Sequence, residues 1–190
     1  MPTEFAIHVY DRLVEAGERE EFGLKHVGLK ALSSLRLEKG YRDFGHDVDN
    51  TDTVLDVGLS FTCDMEKEGG FLGKEAVLEE QMRNKERGGR TKRLASIIVE
   101  DKECFLHHGD LLERSGVPMG ELRVGTRGWT VADGRAIGLA MIEPPEGDQI
   151  VSMKWIKEGE WRVRCGNETY GVEKVSFKPL YDPKNEKIKA

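Results

Sequence analysis

None of the three cysteines in this sequence, Cys63, Cys104 and Cys165, forms a C-x-x-C pair, and their number is odd. That spacing argues against both a structural zinc site and a disulfide framework, and it suits a reducing compartment. No stretch approaches the roughly 20 apolar residues of a membrane span. The opening MPTEFAIHVYDRLVEAGE has no basic start and no unbroken apolar run, so it does not read as a signal peptide. A cytoplasmic location is the expectation, or the mitochondrial matrix in a eukaryote. Basic excess is also missing. The net charge is −6, which speaks against a nucleic-acid module. The one basic cluster, RNKERGGRTKR (83–93), reads as a solvated helix end and linker. No H-E-x-x-H, G-x-S-x-G or G-x-G-x-x-G occurs, so metal binding, a nucleophile elbow and an intrinsic dinucleotide fold have no support.

What is present is a charged, glycine-rich chain of 190 residues, long enough to bury a core without staples and to form one domain or two small ones. Thr3 is placed to cap a helix whose apolar positions Phe5, Ala6, Val9, Tyr10 and Leu13 recur at helical spacing, with Gly17 at its end. Residues 29 to 39 predict a second helix with Ala31, Leu32 and Leu35 on its apolar face, stopped by Gly40. Leu59, Phe61 and Cys63 alternate with polar residues and predict a short strand. FLGKEAVLEEQMRNKE predicts a third helix opening at Gly73.

After Gly88-Gly89 the texture changes. The segments 94–100, 109–113, 120–124, 135–142, 160–165 and 169–177 are short and β-branched, and turn signals separate them. Strands at this spacing without intervening helices predict a small antiparallel barrel or roll. The chain is therefore divided near residue 90, into 1–89 and 90–190. The G-x-x-x-x-G from Gly120 to Gly125 lacks a following Lys-Ser/Thr and reads as a turn.

One residue stands out. Arg36 lies in the apolar helix ALSSLRLEK, just before an aromatic–Gly–His–Asp turn. A guanidinium there needs a carboxylate, backbone carbonyls or a ligand. Glu38 points away from it, so a distant carboxylate and a ligand both remain open. Tyr41 and Phe44 suit either ligand stacking or a core, and Asp47 and Asp49 suit local turn caps.

Three motifs in order, SLRLEKGYRDFGHD, GGFLGKEAVLEEQ and VSFKPLYDPKNEKIKA, resemble the folate-dependent aminomethyltransferase family, which includes the T-protein of the glycine cleavage system. The resemblance is nearer still to the C-terminal regions of dimethylglycine and sarcosine dehydrogenases. It runs through the whole chain and implies an α+β fold, a truncated α/β folate-binding module followed by a small antiparallel β-barrel. It implies tetrahydrofolate as the cofactor, with Arg36 and Phe44 at the folate pocket. The family's catalytic aspartate and pterin-binding glutamate have no counterpart in the sequence, and no flavin domain is expected in this chain. No catalytic residue and no metal ligand are therefore assigned. A Thr-Ser-Gly stretch of the family's barrel is replaced by Arg123-Val124-Gly125, which puts barrel contacts to folate in question. The implied function is the C-terminal portion of a one-carbon transfer enzyme, inactive alone. The alternative is a non-catalytic regulatory or interaction module. Folate is the implied partner, with self-association through residues 1–45, and neither nucleic acid nor membrane is expected.

Overall fold

The structure, a computed structural model, describes residues 1–19 and 21–189. The chain forms two compact units, Met1–Leu32 and Ser33–Ala190.

In the first unit a short 3₁₀ turn (Thr3–Phe5) leads into helix α1 (Ala6–Gly17). Thr3 does not cap it. The helical winding already includes Thr3, and no side chain bonds the free amides. Gly17 ends the helix for a reason of space. The chain returns so closely that a Cβ there would meet the Leu24 side chain at 2.7 Å. None of α1's residues is buried, and Phe5, Ile7, Tyr10 and Leu13 are exposed. Helix α2 (Leu29–Lys39) has the predicted limits, and Gly40, with φ of +69°, stops it.

The second unit is built on a closed barrel of six antiparallel strands in the order β1-β4-β3-β2-β5-β6. The strands are β1 (Arg93–Val99), β2 (Leu111–Arg114), β3 (Val117–Gly128), β4 (Arg135–Ile142), β5 (Trp161–Cys165) and β6 (Glu168–Ser176). All six match predicted segments, and along each strand every second side chain points inward. Ala95, Ile97 and Val99 thus join Leu112, Leu122, Ala140, Ile142 and Val163 in the barrel core. β1 and β4 are buried on both faces, so they read as continuous apolar runs. Their outer residues Leu94, Ile98, Ile137, Leu139 and Met141 form a second core with Leu37, Val48 and Val57.

Four further expectations are corrected. The buried face of α2 carries Ser34, Leu37 and Glu38, whereas Leu32 and Leu35 are exposed. Two polar residues occupy that face because they satisfy barrel backbone. The Ser34 hydroxyl donates to the Arg127 carbonyl at 2.6 Å, and Glu38 Oε1 accepts from the Thr130 amide at 2.7 Å. Residues 59–63 do not form a strand. Ser60–Thr62 is a 3₁₀ turn, and Phe61 is exposed. Gly120 and Gly125 are not turn residues but lie inside β3. A Cβ at Gly120 would fall 1.8 Å from the Met141 carbonyl oxygen, and one at Gly125 would fall 2.6 Å from that of Leu106. Close backbone approach explains both glycines. Finally, the sequence reading had no helix between β4 and β5, where α4 (Met153–Lys157) is found. Ser152 caps it by accepting from the Trp155 amide. Helix α3 (Lys74–Arg87) is as predicted, flanked by the left-handed Gly73 and Gly88.

Candidate functional site

The site is built around the C-terminal half of α2 and the turn that follows it. Arg36 Nη1 donates to the Tyr41 carbonyl at 2.9 Å and to Asp47 Oδ2, and Nη2 donates to Asp47 Oδ1 at 3.2 Å. Asp47 is fully buried and also accepts from the Asp43 amide at 2.9 Å. The turn is fixed further by bonds from the Gly45 amide to the Val48 carbonyl and from the Asp47 amide to the Asp43 carbonyl. Gly45 takes a φ of +91°, which a residue with a side chain adopts only under strain. Asp47 therefore does what the sequence reading gave it, fastening a local turn, and does more as the partner of Arg36. A second guanidinium, that of Arg42, lies near enough to feel its charge. Arg42 donates to the Val57 and Gly40 carbonyls, and burial lowers its pKa against the opposing pull of Asp47.

The Arg36 guanidinium is not enclosed, for its side chain keeps 16% of its surface exposed. Among the described residues no acceptor faces Nε or the second Nη2 hydrogen. Phe44, at the tip of the same turn, is 73% exposed. The arrangement offers free cationic donors and an open aromatic face a few residues apart. Asp47 is held by Arg36, and His46 and Asp43 stand in solvent 3.4 Å from each other.

A second charged group was not foreseen. Asp52, almost fully enclosed, accepts from Lys92 at 3.0 Å and from Arg123 at 3.4 Å. Arg123 thereby ties the 49–52 loop to β3. The only sequence signal was an arginine in a strand opposite an acidic turn. Among the described residues no group of three or more His, Cys, Asp or Glu could hold a metal ion. No helix among them is long and apolar enough to cross a membrane.

Residues 1–67 match the model of the GCVT N-terminal domain, and residues 92–182 match that of the glycine cleavage T-protein C-terminal barrel domain. The chain belongs to the glycine cleavage T-protein family. The two family models meet the chain in the order in which the motifs and the barrel occur. Over 98% of the chain, 4-methylaminobutanoate oxidase (formaldehyde-forming) of Paenarthrobacter nicotinovorans is 38% identical, across 20% of its own length. Mitochondrial sarcosine dehydrogenase of Mus musculus is 33% identical over 100% of the chain and 19% of its own length. The chain thus spans about a fifth of the length of these curated relatives. The crystal structure of glycine cleavage system aminomethyltransferase T from Bartonella henselae matches with a TM-score of 0.70. That match has 18% identity and covers 96% of this chain and 45% of the other, a likeness of fold alone.

Proposed function

We propose that this chain acts as the C-terminal portion of a tetrahydrofolate-dependent one-carbon transfer protein, of the aminomethyltransferase or sarcosine dehydrogenase kind. Its own residues contribute binding rather than chemistry. The observation that carries this reading is the state of Arg36, whose guanidinium is anchored by Asp47 and Tyr41 yet retains unpaired donors at an exposed edge. Such a cation fits a carboxylate of the folate glutamyl tail, and Phe44 fits the neighbouring aromatic unit.

The same geometry bounds the affinity. Two charge-assisted bonds of about 1.5–3 kcal/mol each sum to about 3–6 kcal/mol, which brackets the roughly 4 kcal/mol of millimolar binding. When bound, tetrahydrofolate supplies the nitrogen that accepts the one-carbon unit. This chain holds and orients it. General acid–base catalysis needs a positioned group free to exchange a proton. Asp47 is locked in an ion pair and does not serve as that group, and in this proposal the chain binds folate without itself transferring the one-carbon unit.

Amide NMR of the chain titrated with tetrahydrofolate tests the reading. Shifts confined to residues 36–48 are expected. Shifts clustered elsewhere with none at the Phe44 turn contradict it. An assay for 5,10-methylenetetrahydrofolate from sarcosine should show no turnover, and product formed by this chain alone would contradict the inactive reading.

A further inference from the structure

Cys104 and Cys165, 61 residues apart, bring their sulfurs to 3.8 Å of each other. Cys104 lies in the connection from β1 to β2 and is fully buried in the barrel core. Cys165 ends β5 on its inward-facing register and is half-buried against the same cluster. The third cysteine, Cys63, belongs to the 59–63 turn and takes no part. Two thiols already in contact, each on a segment held by the barrel, have only to close from 3.8 Å to the roughly 2.05 Å of a sulfur–sulfur bond.

We propose that Cys104 and Cys165 form an intramolecular disulfide with a small-molecule disulfide such as oxidised glutathione as oxidant, stapling the β1–β2 connection to the end of β5. The half-buried Cys165 is the sulfur that a solvent-borne oxidant reaches first. Its thiolate attacks one sulfur of glutathione disulfide, forming a mixed disulfide and releasing one glutathione thiolate. The Cys104 thiolate then attacks the Cys165 sulfur and displaces the second glutathione. The protein loses two electrons and two protons, and one glutathione disulfide becomes two glutathiones.

The surroundings make this exchange slow at neutral pH. Burial pushes both thiols up. At Cys165 the facing Asp110 and Cys104 push further. At Cys104 the hydrogen bond with Cys165 and the nearby Arg127 pull back, while Asp110 and Asp101 add to the rise. Since the thiolate is the attacking species, the rate should climb with pH. The pair is therefore a latch that closes under sustained oxidation and not a fast sensor.

The test incubates the full chain, natively folded, in glutathione buffers of rising oxidised fraction. Free thiols are then blocked with N-ethylmaleimide, and the products are mapped without reduction. A peptide joining Cys104 to Cys165 is expected, with Cys63 blocked or glutathionylated separately. The closed form should melt on the order of 5–10 °C higher, and closure should be on the order of 10- to 100-fold faster at pH 9 than at pH 7. Cys63→Ser should retain both the crosslink and the shift. Cys165→Ser should lose both; this half-buried position keeps the test usable if Cys104→Ser does not fold. Recovery of Cys104 and Cys165 as blocked free thiols after oxidation overturns the proposal. So does a crosslink that leaves the melting temperature unchanged.

Discussion

The Asp47 carboxylate is fully buried, while its partner Arg36 keeps an exposed edge. This asymmetry separates the two jobs of one ion pair. Asp47 holds the turn, and Arg36 holds Asp47 while presenting donors outward. Removing Asp47 leaves a partly buried guanidinium without its counter-ion, and breaking a buried pair costs about 3–5 kcal/mol. Urea unfolding of Asp47→Ala should show a loss of that order, and a loss below about 1 kcal/mol would mean that the pair does not hold the turn.

The C-terminal tail is fastened by a comparable device. Lys39 Nζ donates to Asp182 Oδ2 at 3.1 Å and to its carbonyl at 2.9 Å. Burial pushes the Asp182 carboxyl up, but Lys39 and the amides of Lys187, Ile188 and Glu186 outweigh it and hold it below the ordinary value. A carboxyl depressed in the folded state contributes stability above its unfolded pKa of about 3.9, and that contribution is lost as pH falls through the folded value. Stability measured from pH 6 down to pH 2 should therefore fall more steeply below about pH 4 in the wild type than in Asp182→Asn. Parallel curves would show that the clamp is not ionic.

Much of the barrel was legible, β5 through the period-2 pattern of Trp161-Arg162-Val163-Arg164 and β1 and β4 as continuous apolar runs bounded by turns. Features set by backbone contact rather than side-chain period were not. Gly120 and Gly125 are strand residues whose need for no side chain comes from Met141 and Leu106 on neighbouring segments. Ser34 and Glu38 are buried because barrel backbone groups wait there, so the apolar face assigned to α2 was the wrong one. At the site, Arg36 was visible as an arginine out of place. Its partner was not, because helical spacing rules do not reach across a turn to Asp47. Gly120→Ala follows from the same contact and should cost at least about 2–3 kcal/mol in chemical unfolding, through overpacking and lost conformational freedom. A neutral substitution would contradict the close approach of β3 and β4.

The division of the chain near residue 90 remains a proposal. The polar stretch 84–93 joins α3 to β1, and α3 has no buried residue. Limited proteolysis, followed by mass spectrometry, should make its first cut within 84–93. A primary cut inside 94–142 would contradict this boundary.

Self-association through residues 1–45 is likewise proposed. Ile7, Leu13, Phe22 and Val27 are each more than 60% exposed, an unusual amount of apolar surface for one short segment. Light scattering across concentrations should reveal a dimer that Leu13→Asp weakens, and a monomer at every concentration would contradict it.

The central claim is that Arg36 and Phe44 contribute folate contacts while Asp47 only positions Arg36. Calorimetric titration of tetrahydrofolate into the wild type, Arg36→Ala and Phe44→Ala tests it most directly, with Phe44→Ala altering an exposed side chain outside both cores. The account predicts a dissociation constant near millimolar for the wild type, weakened about 10-fold or more in both variants. Micromolar binding that neither substitution changes would contradict it.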